Sequence, residues 1–142
     1  MPEAEHAVTI DFPVEAVYAY VLDGENCPTW RPGVVEIKRV SGDGAGAIYR
    51  QVVKGPGGRR IDADYTITHV EPNRLIEFQT LAGPVRPRGR YTFEPVGDAT
   101  RLTFRLDANV GGFRGLLLGP AVGRTMQAEV HALDRLKEVL EN

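Results

Sequence analysis

The chain has 142 residues, of which 42% are apolar and 25% charged, which fits a single globular domain over residues 1–142 and excludes an intrinsically disordered chain. Lys+Arg 17 against Asp+Glu 19 leaves a net charge of −2, without the global attraction that draws a protein to nucleic acid or anionic lipid. Cys27 is the only cysteine, so an internal disulfide is excluded.

Residues 7–11 alternate weakly and predict a strand. Pro13 then suits the first position of a helix, and Val14, Val17, Tyr18 and Val21 recur at helical spacing until Asp23-Gly24. Two prolines break the stretch from Cys27 to Gly33, which predicts a single turn carrying Trp30.

From Val34 to Leu106 the pattern is β throughout. Turn markers at 41–44, 55–58, 71–74, 82–84 and 96–99 divide it into about six strands, an antiparallel meander. Gly97-Asp98 has glycine first, as a type II′ hairpin requires. Pairing Val96 with Ala99 then sets Phe93 opposite Leu102, Tyr91 opposite Phe104 and Gly89 opposite Leu106 on one apolar face. Arg90 falls opposite Arg105 on the other. The 71–74 turn sets Ile67 opposite Phe78 and Tyr65 opposite Thr80 inside, with Thr68 opposite Glu77 outside. In 47–53 the preferred parity turns Tyr49, Gln51 and Val53 inward, because the alternative buries Arg50. A one-residue slip of 88–95 against 100–107 would mix apolar and charged sets, so that register is strongly specified, whereas the parity of 47–53 is ambiguous.

The period then changes to about 3.6. Val122, Met126, Val130, Leu133, Leu136 and Leu140 mark one stripe of a helix from about 120 to 141, about 33 Å long. One rod of about 10–12 Å cannot cover a sheet roughly 30 Å wide, so the sheet must curl around it. Small residues stand where filling would be needed: Ala63 and Gly89 on the inner face, Gly119 and Gly123 at the helix start. A cavity is therefore expected between sheet and helix.

Strand, short helix, Trp-bearing turn, meander and long C-terminal helix together resemble the START-related helix-grip superfamily, in particular its bacterial polyketide cyclase/dehydrase and lipid-transport group. The resemblance is carried by Ile10-Asp11-Phe12-Pro13-Val14-Glu15-Ala16-Val17-Tyr18, Trp30-Arg31-Pro32-Gly33-Val34, Val70-Glu71-Pro72-Asn73-Arg74-Leu75-Ile76-Glu77-Phe78 and Ala132-Leu133-Asp134-Arg135-Leu136-Lys137. It spans nearly the whole chain. It implies an α+β helix-grip fold: a curved antiparallel sheet of about seven strands around a long C-terminal helix, with two short helices after the first strand. It also implies a hydrophobic cavity for small apolar or amphipathic molecules, with no fixed catalytic set to carry over.

The expected cavity lining is Trp30, Tyr49, Ala63, Tyr65, Phe78, Tyr91, Phe93, Phe104, Met126 and Val130. The phenylalanines read equally as plain core. Tyr65 and Tyr91 are more telling, because a buried hydroxyl needs a partner and often faces a wet pocket. Trp30 reads either as a plug at one end or as an anchor for its double-proline turn. Met126 suits a ligand-facing site but also serves as core filler.

Other groups favour quieter readings. His6, His69 and His131 match no metal spacing, and Gly55-Pro56-Gly57-Gly58-Arg59-Arg60 lacks the Gly-Lys-Ser/Thr ending of a phosphate loop, so neither metal nor cofactor is expected. His69 has inward parity but reads better as a solvated turn residue. Cys27 reads as a small buried side chain. Gly115, Gly119 and Gly123 suggest a flexible start to the helix that gates the pocket. The stripe Arg86, Arg88, Arg90, Arg101 and Arg105 reads as a solvated face balanced by Glu77 and Glu94.

The leading expectation is a binding module for a small hydrophobic ligand, lipid or polyketide-like. The alternative is a cyclase or dehydratase with Tyr65, Tyr91, Tyr49 or His69 as acid or base. A third, weaker reading makes the arginine stripe a protein or RNA surface. No secretory signal or membrane span is visible, Leu116 to Leu118 being the longest apolar stretch, so a cytoplasmic location is expected.

Overall fold

A computed structural model of the chain describes residues 3–83, 85–108 and 123–142. β1 is Glu3–Ile10 and α1 is Val14–Leu22, followed by a 3-10 helix over Gly24–Thr29. The strands β2 Val34–Ser41, β3 Ile48–Lys54, β4 Arg60–Asp62, β5 Tyr65–Glu71, β6 Leu75–Thr80, β7 Arg88–Val96 and β8 Ala99–Asp107 come next. Helical residues 123–131 form α2, and Leu133–Glu141 form α3. Pro13 is the residue that caps α1, one position earlier than the sequence pattern places it.

The antiparallel sheet runs β1-β8-β7-β6-β5-β3-β2, with the short β4 off this path against β3. The first strand thus closes onto the last, and the curved half-barrel with its C-terminal helix is the expected helix-grip fold. The sequence predicts one strand over 61–68, but it is broken at Ala63-Asp64. There Asp64 Oδ1 accepts from the Gln51 amide at 3.0 Å and the Gln51 side chain donates to the Ala63 carbonyl at 3.0 Å. These side-chain bonds stand beside the backbone bond from the Ala63 amide to the Gln51 carbonyl at 2.8 Å, and the chain bends between β4 and β5.

The β7/β8 register is the predicted one at every pair from Val96↔Ala99 to Arg88↔Asp107. Gly97 has φ +60, and among the described non-glycine residues only Asn73 has a positive φ, which leaves Asp98 the ordinary sign that a type II′ turn needs. On β5/β6, Ile67↔Phe78 and Tyr65↔Thr80 stand as predicted, but Glu77 pairs with His69 and not with Thr68. A bulge at Thr68 is responsible. It inserts one residue, turns His69 outward beside Glu71 at 3.2 Å, and brings Val70 to the inner side opposite Ile76. In β3, Tyr49 and Gln51 face inward as predicted, but the alternation stops there: Val52 is buried and Val53 only half-buried.

The C-terminal stripe is buried through Met126, Val130, Leu133 and Leu136, while Val122, Gly115 and Gly119 lie outside the described residues. The predicted single helix is interrupted at Ala132. Its amide bonds Glu129 three residues back at 3.1 Å, and the His131 ring takes the Gln127 carbonyl at 2.8 Å. A side chain competing for an i−4 carbonyl loosens the ladder at that point. Beyond it, α3 is tied to β1 by His6–Asp134 at 2.8 Å and by the Lys137 ammonium donating to the Thr9 carbonyl at 2.6 Å. Among the described residues no helix is long and apolar enough to cross a membrane.

Candidate functional site

The inner face carries one aromatic side chain from each of five strands, in a belt. Tyr49 of β3 stacks on Tyr65 of β5 with centroids 5.0 Å apart; Phe78 of β6 lies 5.5 Å from Tyr65 and 5.9 Å from Tyr91 of β7; Tyr91 stacks on Phe104 of β8 at 4.3 Å. Period-2 alternation makes this possible: one inward position per strand, held in line by the antiparallel registers. Trp30 meets Tyr91 edge-on at 6.3 Å and is almost completely buried. Met126 and Val130 of α2 belong to the same buried cluster. Phe93 sits one pleat further along β7 and packs on Tyr18 of α1 at 5.3 Å, away from the belt. Ala63 is half-buried at the bend before β5.

Two glycines explain how the belt is seated. A Cβ on Gly24 would stand 2.2 Å from the Tyr65 hydroxyl and 2.8 Å from the Tyr49 ring, so the start of the 3-10 helix presses directly on this tyrosine pair. The Gly24 amide donates to the Tyr49 hydroxyl at 3.2 Å. Gly89, expected to leave an opening, is instead roofed by Phe78, whose ring atoms lie 2.1 Å from where a Cβ would be.

A polar cluster that the sequence reading missed lies against one end of the belt. Arg31, in the turn after the 3-10 helix, pairs through Nε with Glu129 of α2. Its Nη1 donates to Gln51 Oε1 at 2.9 Å and to Cys27 Sγ at 3.3 Å. The side chains of Arg31 and Glu129 keep only 11% and 22% exposure, so this is an interior ion pair bridging turn and helix. Burial alone would lower the Arg31 pKa, but Glu129, Cys27 and Tyr91 outweigh it and hold the guanidinium well above its ordinary range. The cluster has a visible sign in the sequence: positions 126, 129, 133, 136 and 140 follow the three-four spacing of the buried stripe, and Glu129 is the one acid among them.

Burial also pushes up the hydroxyls of Tyr49, Tyr65 and Tyr91, strongly for the latter two, and the Cys27 thiol, where Arg31 opposes the shift. These tyrosines remain phenols at neutral pH. Their folded pKa values exceed the unfolded value of 10.0, so their contribution to stability is complete below that pH and declines above it. We expect phenolate absorbance for these residues to appear together with loss of near-ultraviolet circular dichroism on alkaline titration. Their ionisation while that signal persists would contradict their burial.

The outer face is charged, and Arg88, Arg90 and Arg105 are balanced internally. Arg90, directly opposite Arg105, pairs with Glu77 at 2.7 Å, while Arg105 pairs with Glu3 at 2.8 Å and Glu5 at 3.5 Å. Glu77 plays its expected part; Glu94 makes no ion pair among the described residues, and the other acids are Glu3 and Glu5 of β1 and Asp107 of β8, which pairs with Arg88 at 3.3 Å. A hollow of about 300 Å³ on this face is lined by Thr68 and Gln79 together with the paired groups Glu77, Arg88, Arg90, Arg105 and Asp107. No set of three His, Cys, Asp or Glu side chains among the described residues is placed to hold a metal.

The family model described as polyketide cyclase / dehydrase and lipid transport matches residues 1–141. The chain belongs to that family. Among solved structures it is similar to TTHA0849 from Thermus thermophilus, with 26% identity, a TM-score of 0.84, and coverage of 98% of this chain and 97% of that one. It is similar in fold to a START superfamily protein from Mycobacterium smegmatis, with 21% identity, TM-score 0.77 and coverage of 97% and 98%. It is also similar in fold to the Zhui aromatase/cyclase from Streptomyces sp. R1128, with 19% identity, TM-score 0.70 and coverage of 96% and 93%. No curated protein sequence gives a significant match. Within the polyketide cyclase/dehydrase and lipid-transport family, the belt and the Arg31 cluster are this chain's own candidate site.

Proposed function

We propose that the protein binds a small hydrophobic or amphipathic molecule, lipid or polyketide-like, between the inner face of the sheet and the C-terminal helix, and that it does so in the cytoplasm. The observation that carries this is the aromatic belt with a few convergent polar groups at one end. Large apolar walls supply affinity at about 25 cal/mol per Å², and a small number of donors fixes orientation. The family description and the fold shared with a START superfamily protein and an aromatase/cyclase support the same reading. The test is titration with the fluorescent apolar probe N-phenyl-1-naphthylamine, together with native mass spectrometry for co-purified lipid. Saturable enhancement that is lost in Met126→Trp, with the circular dichroism unchanged, is expected. A wild-type protein that takes up neither probe nor lipid overturns the reading.

A cyclase or dehydratase using the same site is the second reading, favoured by the Glu129 carboxylate, whose charge acts on Tyr91. Proton removal next to a carbonyl needs a base, which the carboxylate supplies, and a donor to the developing oxyanion, which a phenol supplies. Turnover of a poly-β-keto substrate that disappears in Tyr65→Phe or Tyr91→Phe, with probe binding intact, distinguishes catalysis from carriage.

A further inference from the structure

We propose that the Arg31–Glu129 pair makes this site selective for uncharged ligand oxygens, with Glu129 the residue that keeps carboxylates out. The inference rests on the ligand-binding reading above and names the ligand class that reading leaves open. An arginine set among aromatic side chains would ordinarily mark a carboxylate site, because a guanidinium offers five donors in a planar fork. Here that charge is already matched. Glu129 takes Nε, and Gln51 and Cys27 take Nη1.

What remains unclaimed is Nη2 of Arg31 and the hydroxyl of Tyr91, neither of which has a hydrogen-bond partner among the described residues. Both can donate to a ligand bound in the proposed site, and a ketone or phenol oxygen can accept from them without adding charge. Cys27, Tyr49, Tyr65 and Tyr91 add none, since burial keeps each protonated. The cluster therefore sums to zero: one cation and one anion. A ligand carboxylate would place a second anion beside Glu129 with one arginine to share, the arrangement in which one of two carboxylates must give up its charge. Few waters can reach the pair to screen this repulsion, because both side chains are largely buried.

Methyl 2-naphthyl ketone and 2-naphthoate differ only in methyl against carboxylate oxygen, so they isolate charge from shape. We expect the wild type to displace N-phenyl-1-naphthylamine with the ketone at least about tenfold more tightly than with naphthoate at neutral pH. Glu129→Gln, which leaves Arg31 unmatched, is expected to reverse the order. The double variant Arg31→Gln/Glu129→Gln is expected to restore preference for the ketone. Equal affinities in the wild type, or a preference unchanged by Glu129→Gln, overturn the inference while leaving ligand binding intact. If Glu129→Gln does not fold, the wild-type ratio alone decides. Binding of the probe but of neither naphthyl compound also overturns it, whereas failure to bind the probe removes the underlying reading as well.

Discussion

Phe104→Ala is expected to lower the unfolding free energy by about 3–5 kcal/mol, the range for emptying a buried aromatic site. Phe104 retains 1% exposure, stacks on Tyr91 at 4.3 Å and lies 6.3 Å from Phe78. Truncation removes apolar burial and leaves a gap bounded by two rings that are themselves held by their strands, so little can collapse into it. The measurement is a shifted urea midpoint at unchanged slope. A loss below about 1 kcal/mol would mean that Phe104 borders open space and the tight part of the belt ends at Tyr91.

Arg31→Met is expected to cost about 2–4 kcal/mol, nearly all from the partner it abandons. Glu129 would keep its charge at 22% exposure with no cation beside it, and Gln51 Oε1 would lose its donor. The double variant Arg31→Met/Glu129→Leu is therefore expected to recover most of the loss, since two apolar side chains of similar volume remove the desolvation problem on both sides. Equilibrium denaturation of the wild type, both single variants and the double variant gives the coupling. Additive losses would show that the pair is held apart by water and contributes little.

The register of β7 and β8 was legible because Gly97-Asp98 fixes one pair and every later pair follows by alternation. The belt residues Tyr65, Phe78, Tyr91 and Phe104 followed from the same parity. The bulge at Thr68 was not legible: no glycine marks it, and an extra residue becomes visible only when the partner strand is in place. That one residue decides whether His69 faces the interior or the solvent. The break at Ala63-Asp64 escaped for a related reason, since alternation from Ile61 to Thr68 is nearly perfect and the bonds from Gln51 that bend the chain come from another strand.

Arg31 and Glu129 were passed over because charged residues are presumed to be outside, and their pairing spans 98 positions. Position supplied the missing sign: an acid standing in the apolar rhythm of α2, and an arginine wedged between Trp30 and Pro32. Interruptions of an otherwise regular apolar pattern were the residues to examine first.

Phe78 resting on the bare backbone of Gly89 has a consequence for any side chain placed at position 89. The ring is parked where a side chain would normally stand, 2.1 Å from the Cβ position. Any larger residue at 89 must displace that ring, which lies 5.5 Å from Tyr65 and 5.9 Å from Tyr91. A single bare backbone position thus fixes where the middle ring of the belt lies.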